Sequence, residues 1–304
     1  MSEVISQLAI LFSFMAFGFA IGKIKRITVE KSNLLSVLLV NAFLPCKVFL
    51  NFSTRCTLPY LKSNYLTLFM STAILLFLVL FSWLISKRLS RDKYEQRVYR
   101  YSFAISNYAY LGYVLVEAVL GAQALTDMIL FCIPFAFYTY TFGYALLTAK
   151  NSSVKRIINP MTAALALGML FGVLEIPLPS TLSAIFGSAA ACVGPISMIL
   201  TGIVIASFAV KEILPDVKTV IFVATRLVVI PAMLFLICVP FKHFGLLPDA
   251  IYPAAVIMGC MPCGLNTVVF PMLVGEDCRM GARFVLLSHA VCLITIPLWI
   301  WILI

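Results

Sequence analysis

The chain has 304 residues, of which 62% are hydrophobic and only 11% are Asp, Glu, Lys or Arg, and it carries a formal net charge of +10. A soluble globular domain has about twice that charged fraction, so an ordinary soluble domain is excluded and a polytopic membrane protein is left. The basic excess sits in short gaps between apolar segments, where anionic lipid headgroups satisfy it and no nucleic-acid partner is needed.

In chain order, the apolar runs predict ten spans, at roughly 4–22, 33–53, 64–86, 99–120, 128–149, 157–175, 181–210, 218–241, 251–274 and 284–304. The first run reads as an uncleaved span, because Glu3 precedes it while Lys23, Lys25 and Arg26 follow it, the reverse of a signal peptide. Connections after spans one, three, five, seven and nine hold 17 of the 22 basic residues, including the short central connection at 150–156. The opposite side has Arg55, Lys62 and Lys242, so the positive-inside rule predicts both termini outside the cytoplasm. The nine cysteines show no framework spacing, and no structural disulfide is expected.

Span two carries Lys47 near its middle, displaced toward the outer face, where a charge costs ~2.5–3.5 kcal/mol unless it meets a partner or a cavity. Glu117 of span four lies at the same depth. The two either form a pair or gate above a site or snorkel separately to the outer headgroups.

Spans four and nine hold the sequences that helices tolerate least in lipid. Span nine contains Cys260-Met261-Pro262-Cys263-Gly264-Leu265-Asn266 inside the apolar run 251–274. Proline and glycine there free backbone groups that lipid cannot satisfy, so the break must face a polar cavity, as in the discontinuous helices of secondary transporters. Span four contains Ser106-Asn107-Tyr108-Ala109-Tyr110-Leu111-Gly112. Shifting the chain on itself by 150 places Gly18 and Gly22 over Gly168 and Gly172, and Pro45 over Pro195. A shift of 154 places Gly121 over Gly275, and 107–112 over 261–266. Duplicating a unit of five spans, an odd number, inverts the second copy. The expected fold is therefore all-α, with ten transmembrane helices in two inverted five-helix repeats, residues 1–150 and 151–304, and broken, crossing helices four and nine.

The crossing defines the candidate substrate-binding residues as Asn107, Gly112, Pro262, Gly264 and Asn266. Asparagine amides donate hydrogen bonds to a carboxylate without a fixed charge that would trap it; alternatively they cap broken backbone or link helices. His289, inside span ten, either relays protons or bonds to a neighbouring helix. Arg226, near the cytoplasmic start of span eight, is expected to snorkel. Asn159-Pro160 is expected to open span six as N-cap and first helical residue. Cys260 and Cys263 form a Cys-x-x-Cys pair, either thiol chemistry or packing around the break. No His-Glu-x-x-His, Gly-x-Ser-x-Gly or P-loop pattern occurs, and neither enzyme nor metal or cofactor site is expected.

Further short patterns extend over the whole chain: Leu44-Pro45 with Phe49, Asn107 with Leu111-Gly112, Asn159-Pro160, Gly194-Pro195 followed by Gly202, Met261-Pro262 with Asn266, and Thr295-Ile296-Pro297. In this order the chain resembles the auxin efflux carrier family, which includes plant PIN-type carriers and compact bacterial organic-acid permeases. The resemblance implies a scaffold domain and a transport domain that interleave across both repeats and move against each other, with the asparagines beside the crossover contacting substrate. The chain departs from the family pattern at Gly112-Tyr113, where proline usually follows glycine, so the first crossover is expected to be less unwound. It departs again at Ser288-His289, where the family favours Ser-Thr.

The expected function is secondary transport of a small organic anion, a mono- or dicarboxylate, across a bacterial cytoplasmic membrane by alternating access. The partners are that anion and membrane lipid, and a homodimer is allowed. Coupling to sodium or to protons both fit; sodium would draw on unwound carbonyls near Pro262, since no acidic residue reaches mid-membrane in spans four or nine. The alternative is a membrane thiol oxidoreductase using Cys260 and Cys263.

Overall fold

The computed structural model describes residues 2–24, 29–148, 159–209, 211, 214, 216–244, 251–272 and 274–303. Lys25, Arg26 and the central connection at 150–156 lie outside them. Among the described residues the chain is helical, with no strand beyond one isolated antiparallel bridge between Ser106 and Cys263. Among the described residues, seven helical segments are long and apolar enough to cross a membrane: Ser2–Lys23, Leu34–Arg55, Tyr65–Leu89, Tyr108–Thr148, Ser180–Ala206, Val217–His243 and Arg279–Leu303. Pro160–Val173 and Ile251–Cys260 are apolar but shorter.

The difference from ten spans has local causes. Predicted spans four and five fall in one helical segment because two helices abut at Gly121, whose φ of 85° and ψ of 173° are non-helical and open essentially to glycine alone, an L side chain there costing about 1–3 kcal/mol. Gly275, its partner under the 154-residue shift, also has positive φ, at 75°. Span six is short because Asn159 caps it in a reciprocal capping box with Thr162 and Pro160 opens it, as the sequence predicts. Span nine is divided by the break at 261–265.

Helices α1 (Ser2–Lys23) and α2 (Val29–Leu38) lead into α3 (Leu44–Arg55), and the short α4 (Leu58–Ser63) follows. Then come α5 (Tyr65–Leu89), α6 (Lys93–Ala104), α7 (Tyr113–Tyr138), α8 (Tyr144–Thr148), α9 (Pro160–Val173), α10 (Ser180–Ala191) and α11 (Val193–Ala206). The chain continues through α12 (Val217–Ala224), α13 (Ile230–His243), α14 (Ile251–Cys260), α15 (Asn266–Met272) and α16 (Arg279–Leu303). Short π-helical turns at Leu39–Phe43, Tyr108–Gly112, Thr139–Gly143 and Thr225–Val229 join some of them.

Close helix approach in lipid needs small residues, and glycine supplies it here. Helix α1 packs along α11, and α3 along α9. A methyl added at Gly18 would collide with the Ile199 carbonyl, and one at Gly168 would lie 2.9 Å from the Phe49 carbonyl. Gly22 faces Ala206 and Ile203, while Gly172 faces the Cys56 and Phe52 carbonyls. The shift of 150 that maps Gly18 to Gly168 also maps Phe49 to Ile199 and Cys56 to Ala206.

A second group of contacts joins α5 with α6 and α7, α13 with α14, and α12 and α14 with α16. Aromatic rings fix one end of it. Phe222 of α12 stacks on Phe284 of α16 with centroids 3.8 Å apart and also meets Tyr99 and Phe103 of α6. One turn beyond Phe222 the chain reaches Arg226, so this cluster sets where that side chain points.

Candidate functional site at the crossing of two broken helices

Helix α6 stops at Ala104, and residues 105–107 are non-helical before a π-turn begins at Tyr108. Helix α14 stops at Cys260, and α15 begins at Asn266. The two breaks lie against each other: Asn107 N–H donates to the Pro262 carbonyl at 2.8 Å, beside the Ser106–Cys263 bridge. The first break thus precedes the segment 107–112 instead of running through it. Gly112 is helical, at φ −62° and ψ −48°, because no proline follows to remove a helix donor. As the family departure implied, the first crossover is the shorter.

Buried backbone groups at both breaks find protein partners, as lipid requires. Cys263 N–H donates to Ser288 Oγ at 3.0 Å, Ser106 Oγ donates to the Met258 carbonyl at 2.9 Å, and Thr267 Oγ1 donates to the Gly264 carbonyl at 2.7 Å. The side chain of Asn107 meets His289 Nε2 at 3.2 Å, and His289 Nδ1 meets the Val285 carbonyl at 2.8 Å. A carbonyl can only accept, so Nδ1 carries the proton and Nε2 accepts from the Asn107 amide nitrogen. The oxygen Oδ1 of Asn107 is buried without a partner. Ser288 and His289, adjacent on α16, therefore serve one break each.

Of the residues predicted to bind substrate, Asn107, Gly264 and Asn266 line one small cavity with Ser106, Tyr108 and Tyr140. Its volume of about 20 Å³ holds roughly one water. Pro262 presents its carbonyl to Asn107. Gly112 lies apart from that lining and faces Met128 and Met261.

Lys47 and Glu117 form an ion pair, with the lysine side chain 6% exposed and the glutamate 41% exposed. Around it, Thr126 Oγ1 donates to Asn51 Oδ1 at 2.8 Å, Asn51 Nδ2 donates to the Ala122 carbonyl at 3.3 Å, and Tyr60 donates to Asp127 at 2.7 Å. These contacts tie α3 and α4 to α7 beside the kink at Gly121.

Arg226 does not snorkel. It is fully buried, and its guanidinium donates to the Phe103 carbonyl at 3.1 Å and the Met258 carbonyl at 3.3 Å. The π-turn and the packing of Phe222 direct it inward to carbonyls from which the breaks remove the helical donor four residues on. Cys260 and Cys263 are free, buried thiols that contact the Val256 carbonyl and Thr267 respectively, and the oxidoreductase alternative finds no support.

An apolar helical bundle in which two interrupted helices meet through their own backbone has the architecture of a membrane transport protein. A family model described as membrane transport protein matches the chain twice, over residues 3–155 and 146–300. The chain belongs to this family, the auxin efflux carrier family. A search of curated proteins gives no match.

Proposed function

We propose that the protein is a secondary carrier of a small organic anion, a mono- or dicarboxylate, working by alternating access in a bacterial cytoplasmic membrane with both termini outside. In this reading ten spans form two inverted repeats, 1–150 and 151–304, from which scaffold and transport domains interleave. The observation that carries the proposal is the crossover: Asn107 bonded to Pro262 between two broken helices, with Asn107, Gly264 and Asn266 around one cavity. Two further observations support the repeat. The contacts of Gly18 with Ile199 and of Gly22 with Ala206 match those of Gly168 with Phe49 and of Gly172 with Cys56 at a constant shift of 150, and Gly121 and Gly275 share positive φ at a shift of 154.

A cavity of about 20 Å³ cannot hold a carboxylate with its carbon chain, so this conformation is closed around the crossover and binding requires the helix groups to part. The surfaces that would part include Phe12 of α1 against His289 and Ser197 of α11, whose hydroxyl donates to the Tyr110 carbonyl at 3.4 Å. Lys47 and Glu117 would act as a charged gate on the outer side, and His289 as a proton relay if protons drive transport.

Purified protein screened against mono- and dicarboxylates, with and without sodium, tests the reading, because a ligand that binds the folded state raises its melting temperature. A saturable shift with a carboxylate, displaced to at least tenfold higher concentration by Asn107→Ala, is expected. A shift only with amines or sugars would overturn the substrate class.

A further inference from the structure

The crossover takes from two backbone carbonyls the helical donor four residues further on, and one guanidinium lies between them. Pro262 has no N–H, so the Met258 carbonyl, four residues earlier, loses its α-helical donor and keeps only a long bond from Met261 N–H at 3.4 Å and one from Ser106 Oγ at 2.9 Å. Asn107 N–H crosses to Pro262, so the Phe103 carbonyl, four residues before Asn107, loses its partner too. Arg226 donates to both. Among the described residues no Asp or Glu is buried and no ion pair includes Arg226, so its charge is balanced by these carbonyls and not by a carboxylate.

The carbonyl end of each α-helix carries about half a negative charge, and two such ends together match one guanidinium. Carbonyl ends of discontinuous helices are also where secondary transporters hold their coupling cations. Here a side chain already stands in that place. The shift of 150 sets Leu76 opposite Arg226, and Leu76 is 63% exposed, so this cation is present in one half of the chain only and serves both broken helices.

We propose that Arg226 is a tethered counter-cation, its guanidinium replacing a coupling alkali ion between the carbonyl ends of α6 and α14, so that anion binding at the crossover needs no sodium. Arg226 is then a positioning residue. It acts through the Phe103 and Met258 carbonyls on Asn107 and Pro262, each four residues further on, and does not touch the anion. The inference rests on the carrier reading, but its test uses cations alone and so fails or succeeds independently of which anion is carried.

The melting temperature of the purified full-length protein should be the same in sodium chloride and in choline chloride at equal ionic strength. Arg226→Ala should melt lower and recover by several degrees, saturably, with millimolar guanidinium ion, while choline at the same concentration gives nothing. Where Arg226→Ala yields no folded protein, Arg226→Lys and Arg226→Gln decide: lysine keeps the charge and should melt nearer the parent, while glutamine keeps only hydrogen-bond donors and should melt lower. Saturable stabilisation of the parent by sodium over choline would overturn the proposal. So would Arg226→Ala unresponsive to guanidinium, or a glutamine variant as stable as the parent.

Discussion

Asn107 donates from its amide nitrogen to Nε2 of His289, 3.2 Å away, and this bond fixes which end of the amide remains for a ligand. With one N–H on His289 and Oδ1 unpaired, Asn107 presents its second N–H and a free acceptor to whatever enters. Asn107→Ala should remove a hydrogen bond to an anion in a desolvated pocket, worth ~1.5–3 kcal/mol, and lower carboxylate affinity about ten- to more than a hundredfold. Asn266→Ala should act in the same direction. His289→Leu should weaken binding while Asn107 itself is intact, because the amide is no longer held in one orientation. Carboxylate affinity and unliganded melting temperature measured on the same variants separate the roles: near-parental affinity in the Asn107 and Asn266 variants would sink the assignment.

The ion pair between Lys47 and Glu117 joins a buried cation to a half-exposed anion. Glu117→Gln should destabilise by about 1–3 kcal/mol, between the values for exposed and fully buried pairs, because it leaves Lys47 unpaired in an apolar surround. Lys47→Met combined with Glu117→Gln should recover most of that loss. A double-mutant cycle on melting temperature reads this coupling, and additive losses would show that the pair contributes no specific stability.

The second break was legible because Pro262 and Gly264 sit inside an apolar run where they cannot continue a helix. The first was legible only approximately: nothing at 105–107 is a helix breaker, and the chain leaves the helix there because Asn107 N–H bonds to a carbonyl 155 residues away in sequence. Local propensity does not contain such a bond. Lys47 and Glu117 could be matched by depth, since depth follows from counting residues inward from the membrane face. Arg226 could not, because its position near a span end fits snorkelling and only the rings around Phe222 show which way it turns. Ser288-His289 stood out in the sequence as adjacent polar residues that depart from the family pattern, and the helix-bonding alternative given for His289 is the contact found, whereas nothing local assigned Ser288 to the second break.

Asp216 caps α12, accepting from Thr219 N–H at 2.7 Å, and also meets Arg283 at 3.2 Å. Burial opposes its ionised form, but the hydrogen bonds from Thr219 and the charge of Arg283 outweigh it and hold the carboxyl below its ordinary value. A lowered value in the folded state means that the stabilisation is fully present above the ordinary carboxylate pKa of about 4 and is lost as pH falls below it. Asp216→Ala should cost about 1 kcal/mol at neutral pH, and the gap in melting temperature between variant and parent should narrow in that acid window. A gap that stays constant down to pH 3 would show that the carboxylate charge contributes nothing.

The glycine contacts make a graded prediction about helix packing. At Gly18 an added methyl would meet the Ile199 backbone, which cannot move without displacing α11. At Gly168 the corresponding approach to the Phe49 carbonyl is 2.9 Å, so α9 and α3 need separate by only a few tenths of an ångström. At Gly187 the nearest atom is a leucine methyl of Leu50 at 3.9 Å, ordinary van der Waals contact. Gly18→Ala should therefore be the most damaging of the three, Gly168→Ala intermediate, and Gly187→Ala neutral or slightly stabilising, since alanine is the better helix former by roughly 1 kcal/mol. Helix propensity alone would make all three favourable, so the order isolates the packing term. Melting temperatures of the three purified variants check it, and a Gly18→Ala protein as stable as Gly187→Ala would mean that α1 and α11 do not approach as closely as described.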